Sequence, residues 1–221
     1  MTRPSLEQLL HHPKLWRGLS QSSLADPRTG HAALDRLLPG RGWPRHALIE
    51  VLTPAPGVGE ISLLLPSLQQ QPQTWIAPPY PPYAPALAQA GLDLKSLLVV
   101  QPGTPAEGLW AMEQLLRGGT ETAVLGWFDT LSVNILRRLQ LAAEAGATQA
   151  FVFRPAAAMH SASPAALRLF LDATEHGLYV RLIKVRGGRP ASVTLPFPEH
   201  DPVVVPASAA APARSTAFRA A

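Results

Sequence analysis

From Leu48 to Arg154 the sequence alternates between short apolar runs and amphipathic stretches, several of which stop at glycine. Leu48–Leu52 reads as a strand and Ile61–Gln70 as a short helix. Thr74–Ala77 reads as a second strand, followed by the Pro/Tyr-rich loop Pro78–Pro82. Pro85–Ala90 forms a helix ended by Gly91, the usual C-terminal punctuation. Leu97–Gln101 is a third strand, and Pro105–Arg117 a helix ended by Gly118-Gly119. Ala123–Phe128 is a fourth strand, Val133–Ala145 a helix ended by Gly146, and Ala150–Arg154 a fifth strand. Such an order predicts an α/β fold with a parallel sheet covered on both faces. Ser163–Glu175 then reads as a further helix. Tyr179–Arg186 and Ala191–Leu195 flank Gly187-Gly188 as a β-hairpin.

The first strand leads into Thr53-Pro54-Ala55-Pro56-Gly57-Val58-Gly59-Glu60-Ile61-Ser62. A working phosphate-binding loop follows G-x-x-x-x-G-K-[ST]; its backbone N–H groups wrap phosphates, its Lys supplies the counter-charge and its hydroxyl holds Mg²⁺. With Gly59 at the last glycine, Pro54 takes the place of the first, Glu60 that of the Lys, and Ile61 that of the Ser/Thr. Proline has no N–H to donate. Exchanging a cation for glutamate reverses an interaction of about 4 kcal/mol at about 4 Å and an effective dielectric near 20. The sequence therefore predicts a loop of phosphate-binding shape that does not bind ATP.

Composition limits the alternatives. The 221 residues suffice for one compact domain with short tails. The chain has no cysteine, which excludes disulfides, thiolate metal sites and cysteine nucleophiles. No apolar run has the ~18–20 residues of a membrane span, and Met1–Glu7 lacks the layout of a signal peptide, so a cytoplasmic protein is expected. The histidines have no metal-ligand spacing, and Ser62 lies in no nucleophile motif. A net charge of +4, with Lys14, Lys95 and Lys184 as the lysines, fits either a GC-rich genome or contact with an acidic partner or nucleic acid.

Three segments are candidates for binding. Leu6, Leu9 and Leu10, leading to Leu15 and Trp16, make Ser5–His12 an amphipathic helix on an arm spanning residues 1–28; it either packs on its own domain or docks to a partner. Tyr80 and Tyr83 lie in a proline-rich loop expected at the carboxyl ends of the strands, where docking surfaces tend to sit. Arg181, Lys184, Arg186 and Arg189 are the densest basic cluster and a candidate DNA contact. Strand alternation places Arg181 on the face opposite Lys184 and Arg186. Residues 199–221 are rich in Pro and Ala, without periodicity, and read as a disordered tail.

Thr29-Gly30, Leu34-Asp35, Leu38-Pro39-Gly40, Gly42-Trp43-Pro44-Arg45 and Ile49-Glu50, followed by the loop above, resemble the opening of the RecA recombinase core. Ala90-Gly91-Leu92-Asp93 and Leu97–Pro102 resemble a later helix, strand and turn of that core. Trp75–Tyr80, Ala123–Trp127, Arg137–Glu144 and Phe153-Arg154-Pro155 are similar to the ImuA family, degenerate RecA relatives of which the division inhibitor SulA is a shorter cousin. The resemblance runs from about Leu6 to Leu195.

It implies a RecA-like core at 29–198 with a mostly parallel central sheet flanked by helices, an N-terminal helical arm and a C-terminal β-hairpin. The parts that handle ATP in that core are replaced together. Pro79 or a neighbour stands for the water-activating Glu, Gly126-Trp127 for the Walker-B end of the fourth strand, and Arg154-Pro155 for the phosphate sensor; Asp129 reads as a surface or capping residue. Phosphoryl transfer depends on those parts, so no catalysis and no cofactor are expected. The ImuA resemblance implies a non-catalytic adaptor in SOS-induced mutagenesis and translesion DNA synthesis. Its partners would be ImuB (a Y-family polymerase-like protein), an error-prone DNA polymerase III alpha-type subunit and RecA, at the nucleoid when active. The alternatives are a SulA-like inhibitor that binds FtsZ and a nucleotide-binding enzyme with an altered loop.

Overall fold

The computed structural model describes residues 26–69, 71–119 and 123–197. The elements in chain order are α1 (Ala32–Asp35), β1 (Leu48–Thr53), α2 (Glu60–Leu68), β2 (Gln73–Ile76), α3 (Ala84–Gln89), β3 (Leu97–Val100), α4 (Pro105–Gly118), β4 (Ala123–Trp127), α5 (Val133–Ala145), β5 (Gln149–Pro155), β6 (Leu167–Thr174), β7 (Gly177–Val185) and β8 (Ala191–Leu195). Short 3₁₀ turns span Leu94–Ser96 and Ala156–His160. Among the described residues these strands form one sheet of eight, in the order β3-β2-β4-β5-β1-β6-β7-β8. Pairing is parallel from β3 through to β6 and antiparallel across β6, β7 and β8.

The pleat assigns the two cores. Ile49 and Val51 of β1 share a face with Phe151, Phe153, Leu125 and Trp75, beneath α2 and the lead-in residues Leu34, Leu38 and Trp43. Leu48, Ala150, Val152, Val124 and Ile76 point to the other face, against Met112 and Leu116 of α4 and Leu136 and Leu139 of α5. Strands buried on both faces favour apolar side chains at nearly every position, which explains the apolar runs in the sequence. The chain is packed from Asp26 onward: the Trp43 amide donates to Pro27 O at 2.8 Å, and Trp43 Nε1 donates to Ser67 Oγ at 3.1 Å. Gly30 has φ +87°, and a Cβ there would lie 2.1 Å from Pro66 Cβ, so the lead-in reaches α2 only through glycine.

Helix boundaries follow local chemistry. Thr104 caps α4 by accepting from Glu107 N at 3.3 Å while Glu107 Oε2 accepts from Thr104 N at 3.1 Å, a capping box with Pro105 in the first turn. Ser132 accepts from Ile135 N to start α5.

One expected element is wrong. Ser163–Glu175 is not a helix; Leu167–Thr174 is strand β6, parallel to β1 on one side and antiparallel to β7 on the other. Leu167, Leu169 and Leu171 are fully buried on one face, a period of two that the alanines before them and the intervening Phe170 disguise. The C-terminal hairpin is therefore the outer part of a three-stranded antiparallel wing. Helix Ser5–His12, with Leu6, Leu9, Leu10 and Trp16, and the tail at 199–221 lie outside the described residues.

Candidate functional site

A cavity of about 590 Å³ opens at the carboxyl ends of the parallel strands. The loop after β1 (Pro54, Ala55, Pro56), the ends of β4 and β5 (Trp127, Arg154) and the turn into α4 (Pro102, Thr104) all line it. This is where a sheet of this kind presents ligand sites.

The loop that resembles a phosphate cradle is closed by its own side chain. Gly57 N donates to Glu60 Oε1 at 2.8 Å and Gly59 N donates to Glu60 Oε2 at 3.2 Å. Both glycines sit at positive φ, +90° and +112°, which turns their amides toward the start of α2. An anionic carboxylate on these amides fills the role that a phosphate plays at a helix N-terminus. Glu60 is buried, so its side chain is held against the loop. Mg²⁺-ATP does not fit this arrangement: its phosphates would meet a carboxylate on the amides they need, Pro54 offers no N–H, and Ile61 packs against the core rather than presenting a hydroxyl. Among the described residues no group of three or more His, Cys, Asp or Glu is placed to hold a metal ion.

The other replaced positions line the same cavity. Trp127 stacks on Phe153 with ring centres 4.5 Å apart and planes at 14°, and lies 5.7 Å from Trp75. An aromatic wall thus stands where the resemblance called for a metal-supporting carboxylate. Asp129 is exposed on the rim, and Ser132 rather than Asp129 caps α5. Pro79 lines the cavity, while Tyr80 and Tyr83 beyond it are exposed by 68% and 71%.

Arg154 does not face a phosphate. Its Nη1 donates to Glu50 Oε1 at 2.7 Å and its Nη2 to Leu131 O at 3.2 Å. Arg168 reaches the same glutamate from the other side; its Nε lies 2.7 Å from Glu50 Oε2, close enough for an ion pair but out of line for a hydrogen bond. Its two terminal nitrogens donate to Ser161 O and Ala158 O. The triad follows from register, because Glu50 stands beside Arg168 on one neighbouring strand and Arg154 lies two residues beyond its partner Val152 on the other, on the same face. Sequence reading noticed Glu50 and Arg154 separately and missed Arg168. The available signal was single charges of opposite sign inside otherwise apolar strands.

The basic cluster is arranged differently from the expected alternation. A bulge between Arg168 and Leu169 pairs Leu169 with Leu182 but Arg168 with Lys184, so Ile183 is skipped. Arg181 faces Phe170, which shares a face with Arg168, and Arg181, Lys184 and Arg186 therefore lie on one face. Two of these cations are engaged within the protein. Lys184 Nζ donates to Ser163 O at 2.7 Å, and Arg186 lies 3.6 Å from Glu144. Burial, then the Arg186 and Arg168 charges, pushes the Lys184 ammonium below the usual lysine value, with Glu50 opposing. Arg181 and Arg189 are exposed.

Residues 50–150, from β1 to the start of β5, match the family model described as cell division inhibitor SulA. The chain is 33% identical over 101 residues to the cell division inhibitor SulA of Edwardsiella piscicida, an alignment covering 43% of this chain and 60% of that protein. It is 36% identical over 98 residues to SulA of Yersinia enterocolitica, covering 42% and 58%. The chain thus spans about three-fifths of the length of these curated relatives. Among solved structures, SulA from Pseudomonas aeruginosa is similar at 28% identity and a TM-score of 0.42, covering 48% of this chain and 97% of that one. The lead-in at 26–47, most of β5 and the wing β6–β8 fall outside the matched stretch. No described helix is long and apolar enough to cross a membrane.

Proposed function

We propose that this chain is a non-enzymatic protein of the DNA-damage (SOS) response that acts by binding another protein, and that it is a SulA-like inhibitor of cell division whose partner is FtsZ. The observation that carries this reading is the SulA-like sequence of residues 50–150, the same stretch in which Glu60 closes the phosphate loop. A core of this kind keeps its surfaces while its nucleotide chemistry is gone. RecA-like ancestry is supported by a strand–loop–helix unit on the interior strand β1 of a mostly parallel sheet.

A second reading rests on the segments outside the match. The lead-in packed on α2 and the three-stranded wing suit a longer ImuA-type adaptor that binds RecA, ImuB and an error-prone polymerase. One pair of assays separates the two. Purified full-length protein is added to FtsZ assembling with GTP, and polymer is measured by sedimentation. The same protein is used for pull-down of RecA and ImuB. Loss of FtsZ polymer at stoichiometric protein supports the inhibitor. Unaffected FtsZ together with RecA or ImuB retention transfers the assignment to the adaptor, and failure of both removes both.

A further inference from the structure

The groups around the cavity that are suited to an anion are engaged within the chain. Glu60, one of the lining residues, takes the amides of Gly57 and Gly59. At the turn into α4, Glu107 Oε2 accepts from Gly103 N at 2.9 Å and from Thr104 N at 3.1 Å. Gly103 and Thr104 line the cavity as well. Arg154, the one cation among the lining residues, is committed to Glu50 and to Leu131 O. Two amide pairs thus carry carboxylates of the chain itself. A third carboxylate, Asp129, is exposed on the rim and takes part in no ion pair among the described residues. A phosphate or carboxylate ligand would meet like charge here and find these donors taken.

The rest of the wall is apolar and stiff. Leu109, Trp127, Phe128 and Phe153 line it, with Trp127 and Phe153 stacked on each other. Pro54, Pro56, Pro79, Pro102, Pro105 and Pro155 line it too, and their fixed φ restrains the loops from collapsing into the space. The volume of about 590 Å³ falls among those of small-molecule sites, about 300–1,000 Å³. A preformed site of this kind asks little ordering of the protein when a ligand enters.

We infer that the cavity is a binding site for a small, flat organic cation, an aromatic amine. Its rings lie along the wall of Trp127 and Phe153, and its positive charge faces Asp129. Charge selects the ligand: the place that an anionic nucleotide would need has become one that favours the opposite sign. This goes beyond the partner reading and holds whichever partner is right.

The test uses the full-length chain and three dyes that share one ring system. They are the aminoacridine cation, neutral acridine and the acridine carboxylate anion, titrated by fluorescence near neutral pH. The cation is expected to bind about fivefold more tightly than acridine, the increment of one exposed ion pair. The carboxylate is expected to bind more weakly than either. Asp129→Asn, on the exposed rim, removes the advantage of the cation and leaves the affinity for acridine as it was. In amide NMR spectra the cation shifts Ala55, Leu109 and Thr130, which line the cavity, and leaves Ala147 and Thr148 before the start of β5 in place. Equal binding of the three dyes overturns the proposal, as does tighter binding of the carboxylate or no binding of the cation. A cation affinity unchanged by Asp129→Asn, or shifts centred away from the cavity, overturns it too.

Discussion

Arg154 Nη1 stands 2.7 Å from Glu50 Oε1, with the two side chains 4% and 0% exposed. Arg168, 7% exposed, holds the other carboxylate oxygen. Removing the shared anion leaves two buried guanidinium groups facing each other, whereas replacing the whole triad removes the desolvation cost along with the attraction. Glu50→Ala is expected to cost about 3–5 kcal/mol in urea unfolding. A Glu50→Met, Arg154→Leu, Arg168→Met triple variant is expected within about 1 kcal/mol of the parent or above it.

Glu60 stabilises the loop rather than awaiting a ligand. Glu60→Ala deprives Gly57 N and Gly59 N of a charged acceptor, and a loss of about 1–3 kcal/mol is expected. Glu60→Lys, which restores the sign of a phosphate loop, is expected to give no thermal stabilisation with Mg²⁺-ATP, since Pro54 and Ile61 remain. A ligand at a hundred times its Kd would add about 2.7 kcal/mol, so the comparison is decisive by thermal shift.

Acid weakens the contact between α4 and α5. The hydrogen bond from Arg138, against burial and with help from Arg117 at 2.9 Å, holds the Glu113 carboxyl below its ordinary value of 4.5. A folded-state value lower than the unfolded one gives stability that is complete above the unfolded value and is lost as pH falls through the folded one. The urea midpoint of the parent is expected to exceed that of Glu113→Gln at pH 7, and the difference is expected to shrink as pH falls below the ordinary carboxyl value of 4.5.

Gly30 and Gly57 both sit at positive φ, +87° and +90°, but a Cβ on Gly57 meets nothing within 4 Å. Gly57→Ala is expected to cost about 1 kcal/mol of backbone strain. Gly30→Ala adds a collision with Pro66 and is expected to cost about 1–3 kcal/mol more, read from the same unfolding curves.

Lys184 is engaged with Ser163, and Arg186, though exposed, lies 3.6 Å from Glu144, which leaves Arg181 and Arg189 as the exposed members of the basic cluster with no ion pair among the described residues. Two phosphate contacts on single-stranded DNA give a slope of log K against log salt of only about −1.4. Binding is expected to be weak with a slope no steeper than that, and to vanish in Arg181→Ala/Arg189→Ala by fluorescence anisotropy.

Most of the parallel half was legible because its punctuation is local. Gly91, Gly119 and Gly146 stop helices, Thr104 and Ser132 start them, and the apolar runs between are short enough to be strands. What escaped depends on partners distant in sequence. β6 is buried because β1 and β7 flank it, and its Ala165-Ala166-Leu167 start has helical propensity that the sheet overrides. The bulge at Ile183 exists only through the strand opposite. The sign of Glu60 was readable as an obstacle to phosphate; that its carboxylate takes up the loop amides required coordinates.

The skipped residue Ile183 makes the charge distribution of the wing a matter of phase. In-frame loss of that single codon would leave Lys184 and Arg186 on the face of Arg168 and Val185 on the face of Leu178 and Val180, because the strand would then alternate without a bulge in the same pairing. The bulge is thus one residue of slack in β7: a deletion there leaves both faces as they are, whereas a residue added to the paired run on either side of it, with the bulge kept, would turn over everything beyond.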